Sequence, residues 1–280
     1  MKIKITADST CDLPKELLEK YNIALIPLTV VKNDQSFKDG VDIHPADIFA
    51  HVAAGGALCS TSAGSVGEYA DVFEVHAAEN DAVIHISLGS GFSSSYQNAC
   101  LAAEDFDNVY CVDSMNLSTG HGLVVLKAAA LVESGKEVQA ILEELNALVP
   151  KVEASFLVDK LDYLAKGGRC SSAAALGANL LNLKPCIEVR NGKMTVVKKY
   201  RGNYAKCLAS YVKERLADRE DIDRETLFIT QTVVSDDCSN AVSEAVAAHG
   251  NFANIYETTA GCTVSCHCGP GTLGVLFVRK

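Results

Sequence analysis

Apolar positions along this chain fall into short runs whose spacing alternates between a period of two and a period of about 3.6. Ile3–Ala7 alternates and stops at Asp8-Ser9-Thr10, which predicts a strand followed by a turn. Pro14 opens a predicted helix through Lys20, and Ile23–Val31, rich in branched residues, predicts the next strand. Helices are predicted over Gly64–Ala78, Ser94–Glu104, Thr119–Ser134 and Glu137–Leu148, with strands at Ala82–Ser87 and Val109–Val112. Gly135 and Pro150 end the last two helices. Strand and helix alternate throughout, which predicts a parallel sheet flanked by helices.

From about Val152 the pattern changes. Ile187–Val189 and Met194–Lys198 flank Asn191-Gly192, a hairpin signal because both turn positions need positive φ. Tyr204–Leu216 and Asn240–Ala248 predict helices, while Leu227–Gln231, Ile255–Tyr256 and Leu273–Val278 predict strands. The expected architecture is α/β with two lobes, a parallel-sheet lobe over 1–150 and a mixed-sheet lobe over 151–280. No internal repeat and no Ser/Gly-rich linker interrupts it.

Composition narrows the function. With 280 residues, 48% apolar and 21% charged, the chain can bury a sizeable core without disulfides. A formal net charge of -10 argues against a broad nucleic-acid surface, which needs a basic face. The absence of Trp leaves few stacking platforms for bases or sugars. Eleven cysteines sit mostly among apolar neighbours (Cys100, Cys111, Cys186, Cys207), and their odd number fits free thiols in a reducing compartment. Met1–Thr6 leads directly to Asp8, Asp12 and Pro14, unlike a signal peptide, and no apolar run reaches 18 residues. A cytoplasmic protein without an integral membrane segment is expected.

Small hydroxylated residues cluster where predicted strands end: Asp8-Ser9-Thr10, Ser60-Thr61-Ser62-Ala63-Gly64-Ser65, and Ser87 through Ser95. In a parallel sheet these ends border the ligand crevice, and hydroxyls beside helix starts are good anion donors. The same residues also serve as helix N-caps. Gly89-Ser90-Gly91-Phe92-Ser93-Ser94 lacks the third glycine of a dinucleotide loop, and no Gly-Lys-Ser/Thr follows. Gly91-Phe92-Ser93-Ser94-Ser95 misses the G-x-S-x-G elbow by its last residue, so an esterase would need Ser93 together with His267 and Asp113. Cys262-x-x-x-Cys266-His267-Cys268 carries zinc-type ligands and opens a zinc or redox reading. On an extended chain its neighbouring side chains splay apart, and no second CxxC completes a site. His267 precedes Gly269-Pro270-Gly271-Thr272, a rigid turn that allows close approach to a ligand. Positive charge concentrates at Lys166-Gly167-Gly168-Arg169 and Lys198-Lys199-Tyr200-Arg201.

The order of these motifs resembles the DegV family, the fatty-acid-binding subunits of bacterial fatty acid kinase. The resemblance rests on Asp8-Ser9 through Asp12-Leu13, Thr61-Ser62-Ala63-Gly64-Ser65, Ile86-Ser87 with Phe92 through Ala99, and Asp113-Ser114. Leu161 through Gly168-Arg169, Leu183-Lys184-Pro185, Arg201 and His267-Cys268-Gly269-Pro270-Gly271 complete the series, so that 3–279 reads as one DegV-like unit. The family commonly has Pro where Gly64 stands, and Leu-Ser-Gly-Thr where this chain has Phe92-Ser93-Ser94-Ser95. The resemblance implies two lobes enclosing a lipid such as palmitate or oleate, with no cofactor, no metal and no catalytic residue. It implies that Thr61 and Ser93 bind the carboxylate with His267 nearby, and that Ser62 and Ser94 are secondary candidates. Arg201 and Arg169 would face the phosphate or a separate ATP-dependent kinase subunit.

Overall fold

The computed structural model describes residues 1–175 and 183–280. Its first strands are β1 (Ile3–Asp8), β2 (Ala24–Ile26), β3 (Thr29–Lys32), β4 (Gln35–Lys38), β5 (Ser60–Ser62), β6 (Ala82–Ser87) and β7 (Val109–Asp113). Then come β8 (Val152–Val158), β9 (Leu183–Arg190), β10 (Lys193–Arg201), β11 (Ile222–Gln231), β12 (Asn254–Thr259) and β13 (Thr272–Arg279). The helices are α1 (Lys15–Lys20), α2 (Pro45–Ala53), α3 (Val66–Glu79), α4 (Ser95–Ala103), α5 (Ser118–Glu133) and α6 (Val138–Leu148). They continue with α7 (Asp162–Gly167), α8 (Ser171–Ala174), α9 (Tyr204–Leu216), α10 (Asp236–His249) and α11 (Cys262–Cys268).

The first lobe is built on a parallel sheet of order β2-β1-β6-β7, and the second on a mixed sheet of order β10-β9-β8-β13-β11-β12. Most predicted elements appear within a residue or two. The run Ile23–Val31 is not one strand. Pro27, which has no N–H to donate, falls between β2 in the parallel sheet and β3 in a separate antiparallel sheet of order β4-β3-β5. The Asn191-Gly192 hairpin forms as expected, with φ of 50° and 70°.

α5 ties the lobes together. Eleven of its sixteen residues are buried, around its whole circumference. A helix apolar on all sides must be covered on all sides. α5 contacts β1 and β6 on one side and β8, β11 and β13 on the other, and a single apolar cluster runs from Ile5 and Ile86 through Val124 to Phe156 and Leu276.

The carboxyl ends of β1 and β6 are locked by Asp8, which is fully buried. Its Oδ1 accepts the Tyr69 hydroxyl at 2.6 Å, and its Oδ2 accepts the Ser87 hydroxyl at 2.8 Å and the Leu88 N–H at 2.7 Å. Burial alone would raise this carboxyl, but hydrogen bonds and the charge of neighbouring His85 hold it below the usual range. A buried carboxylate persists because every lone pair finds a donor.

The second lobe leans on the first at one bare backbone contact. A Cβ at Gly91 would stand 2.0 Å from the Gly192 carbonyl at the hairpin tip. Gly91→Ala must therefore push two backbones apart, and we expect a loss of about 1–3 kcal/mol in urea unfolding. Gly67→Ala, where a Cβ meets nothing within 4 Å, serves as the control. Its expected change is neutral to slightly stabilising. Equal stability of the two variants would show that the hairpin does not press on this loop.

Candidate functional site

The site begins with α11, which belongs to the C-terminal half of the chain but packs against α2, β3 and β5. Asp39, just past β4, accepts the N–H groups of Cys262 at 2.9 Å and Thr263 at 3.1 Å. Asp12, held at φ 49°, accepts the Gly261 N–H at 2.9 Å and the Ser118 hydroxyl at 2.6 Å. Side-chain carboxyl oxygens at a helix start satisfy its free N–H groups. Beneath, Cys262 and Cys266 pack with Val30, Ile43, Ile48 and Cys59. The segment Cys262–Cys268 is thus helical, not extended as the spacing of its ligands had implied. Capping by two distant aspartates is the reason.

This helix turns Thr263, Val264, His267 and Cys268 toward a cavity of about 510 Å³, mouth included. Thr61, Ser62, Ser93, Arg169 and His267 all stand on its wall, among Leu28, Leu88, Phe92, Leu117 and Met194. A second cavity of about 390 Å³ shares Leu117, Val264 and Cys268 with the first, and is lined by Ala154, Phe156, Val189 and Leu276. Its threonines are already bonded: Thr230 meets Thr119 at 2.5 Å, and Thr232 donates to the Gly269 carbonyl at 2.9 Å. To a ligand the second cavity is therefore apolar.

His267 Nε2 lies 2.7 Å from Thr61 Oγ1. Burial, and secondarily the charge of Arg169, push this imidazole down to about 4, so at neutral pH it carries one ring hydrogen. Its Nδ1 is buried with no partner among the described residues. Gly167 leaves room for it, since a Cβ there would stand 2.6 Å from Nδ1. With the hydrogen on Nε2, His267 donates to Thr61, and the threonine hydrogen is free to point into the cavity.

Ser93 Oγ lies 2.9 Å from Ser95 Oγ and accepts the Ser95 N–H at 3.2 Å. Ser95 is fully buried at the start of α4. An anion at Ser93 must share that hydroxyl with Ser95. Ser94 is exposed at the start of α4, outside this wall. Ser65, by contrast, is an N-cap, accepting the Glu68 N–H at 3.2 Å.

Arg169 differs from its grouping by charge. It is exposed at the cavity wall, donating to the carbonyls of Gly167 at 2.9 Å and Phe92 at 3.4 Å. Arg201 ends β10 and is exposed away from that wall. The esterase arrangement does not assemble: Ser93 bonds Ser95, His267 bonds Thr61, and Asp113 accepts the N–H groups of Ser90 and Met115. Burial pushes the Cys262 and Cys266 thiols up and the Cys268 thiol up to about 12, and among the described residues no three His, Cys, Asp or Glu side chains group to hold a metal. Asp39 carries no sequence signal of its own, and Asp12 stood out only as part of a motif, because each acts on a helix start more than 220 residues away.

The DegV family model matches residues 2–280. A DegV domain-containing protein of Clostridium acetobutylicum is 33% identical over 281 residues, covering 100% of this chain and 99% of the relative. A DegV family protein from Thermus thermophilus, whose solved structure is described by its fatty acid binding, is 30% identical and superposes with a TM-score of 0.93 over 100% of both chains. A stearic acid-binding protein from Eubacterium ventriosum is 25% identical, with a TM-score of 0.85 over 99% of this chain and 98% of that one. Among the described residues no helix is long and apolar enough to cross a membrane.

The buried groups around α11 and α5 give stability a defined pH profile. His121 and His267 are both lowered to about 4 from 6.5, so the unfolded chain binds more protons between these values. Asp12 is raised by burial to about 8 from 3.8, so there the folded chain holds the extra proton. Two histidines outweigh one aspartate up to 6.5, and above it only Asp12 acts. Unfolding midpoints in urea should rise from pH 4 to about 6.5 and then decline toward 8, and Asp12→Asn should remove the decline. A midpoint that climbs steadily to pH 8 in the parent chain contradicts this.

Proposed function

The chain belongs to the DegV family, and on that premise we propose that it is a non-catalytic carrier of a long-chain fatty acid such as palmitate or oleate. One observation carries the reading: Thr61, Ser62, Ser93, His267 and Arg169, drawn from separate parts of the chain, face one cavity that shares a wall with an apolar one. The carboxylate binds in the first and the acyl chain extends into the second. Burying about fourteen methylenes at ~0.8 kcal/mol each amounts to about 11 kcal/mol before the costs of association. The carboxylate needs donors once out of water. Thr61 supplies one through the His267 hydrogen, and Arg169 supplies charge near the mouth without closing over it.

The carrier presents its carboxylate to a separate ATP-dependent kinase subunit. There a carboxylate oxygen attacks the γ-phosphorus of ATP, ADP leaves, and an acyl phosphate forms. The lack of any phosphate-binding loop in the sequence supports a partner for that step. Arg201, exposed and outside the cavity wall, is the docking or phosphate-facing cation of this scheme. The lobes meet near residue 150, between the parallel sheet ending at Asp113 and the mixed sheet beginning at Val152. Unpaired cysteines throughout support a cytoplasmic location.

Thr61→Ala should weaken binding of a fluorescent fatty acid by ~1.5–3 kcal/mol, the range for a hydrogen bond to a charged group. Ser93→Ala should cost less, because its hydroxyl already pairs with Ser95. Unchanged affinity in both variants would reduce these hydroxyls to structural roles. Arg201→Ala should keep the lipid and lose acyl phosphate formation when a cognate kinase subunit and ATP are added. Loss of lipid would put Arg201 at the carboxylate instead.

A further inference from the structure

The mixed sheet is split along part of its length. β8 pairs with β9 only from Ser155, opposite Glu188, to Leu157, opposite Cys186. Yet β8 runs on to Val152 against β13, and β9 runs on to Arg190 against β10. The facing edges of 152–154 and 189–190 diverge with no ladder between them, so their backbone polar groups face a gap. The gap is a cleft of about 920 Å³, mouth included. Val189 stands in the wall of this cleft and in the wall of the apolar second cavity, so the two spaces adjoin at this side chain.

The outer side of the gap is cationic. Arg215 bridges it, 3.5 Å from Glu153 on β8 and 3.1 Å from Glu188 on β9. Arg219 holds Glu153 through two bonds of 2.8 and 2.9 Å. Arg190 and Arg279 stand at the rim with side chains 61% and 45% exposed. Arg190 donates to Glu188 at 2.9 and 3.1 Å, and Arg279 donates to the Pro150 carbonyl at 2.8 Å and lies 3.9 Å from Glu153, so each must share its exposed N–H groups with a ligand. Arg219 also pairs with Asp221, so four guanidinium groups meet three carboxylates (Glu153, Glu188 and Asp221) and the opening keeps an excess of one positive charge on a chain of net charge -10.

We propose that this gap is a second mouth of the acyl cavity, through which the chain accepts long acyl acids bearing an oxygenated, and best an anionic, ω end. The proposal rests on the carrier reading above and adds where the far end of the ligand goes. In a closed apolar tunnel, a terminal hydroxyl would be buried without a partner, at a loss on the order of tenfold to a hundredfold in affinity, and a carboxylate would lose far more. With the gap open past Val189, that end reaches water and the rim arginines. A planar guanidinium suits a carboxylate in particular.

The test compares palmitate, 16-hydroxyhexadecanoate and hexadecanedioate by displacement of a fluorescent fatty acid. The unaltered protein should bind all three within about threefold of one another. Arg190→Glu should leave palmitate and the hydroxy acid unchanged and weaken the dioate at least about fivefold. Arg279→Glu, on a different strand, should repeat that pattern, so that a local disturbance of the hairpin does not decide the outcome. Palmitate binding with loss of about thirtyfold or more for both ω-oxygenated acids would show a closed tunnel and overturn the proposal. Tight dioate binding indifferent to both arginine variants would overturn it too, by placing the ω end elsewhere. Failure to bind palmitate at all would overturn the carrier reading, and this one with it.

Discussion

Asp39 accepts two backbone N–H groups from residues more than 220 positions away, and the cavity exists because it does. With Asp12 on Gly261, it seats α11, a helix of seven residues, against the antiparallel sheet of the first lobe. So short a helix has almost no stability of its own. Its N–H groups would be orphaned in the interior without those carboxyl oxygens. Remove them and Val264, His267 and Cys268 lose their place on the wall between head-group and apolar cavities. The site is thus a consequence of how one lobe terminates the helix of another.

Charge is kept low inside the site and held at its edge. His267 is neutral because burial and Arg169 disfavour its protonated form. Neutrality matters chemically, since an imidazolium bonded to a carboxylate would grip it through a desolvated ion pair. A neutral imidazole orients the Thr61 hydroxyl and leaves hydrogen bonding as the main interaction at depth. Arg169 adds attraction from an exposed position, where water screens it. This combination suits a ligand that is held firmly by its chain and loosely by the group that must react.

Much of this arrangement is legible in the sequence. α9 was located by its buried face, α5 by an apolar run that Gly135 ends, and β1, β6 and β7 as short apolar runs bounded by polar turns. The hairpin at Asn191-Gly192 was legible from backbone chemistry alone. The hydroxyl runs and His267 were legible as a set, through the family's motif order. Three features were not. Pro27 divides one apolar run between two sheets, a choice made by tertiary pairing. Cys262–Cys268 has no local helix signal that outweighs its ligand-like spacing, and its caps lie in the other lobe. Arg169 sits in a basic cluster by sequence, yet the turn at Gly168, with φ 69°, brings it to the cavity wall.

The central claim is that these two adjoining cavities hold a fatty acid by its carboxylate and its chain. Native mass spectrometry of the protein as purified from a bacterial host tests it most directly. The account predicts a species heavier than the 29.7 kDa chain by the mass of one long-chain fatty acid, released intact on denaturation. Apoprotein alone, unchanged after incubation with palmitate or oleate, would contradict it.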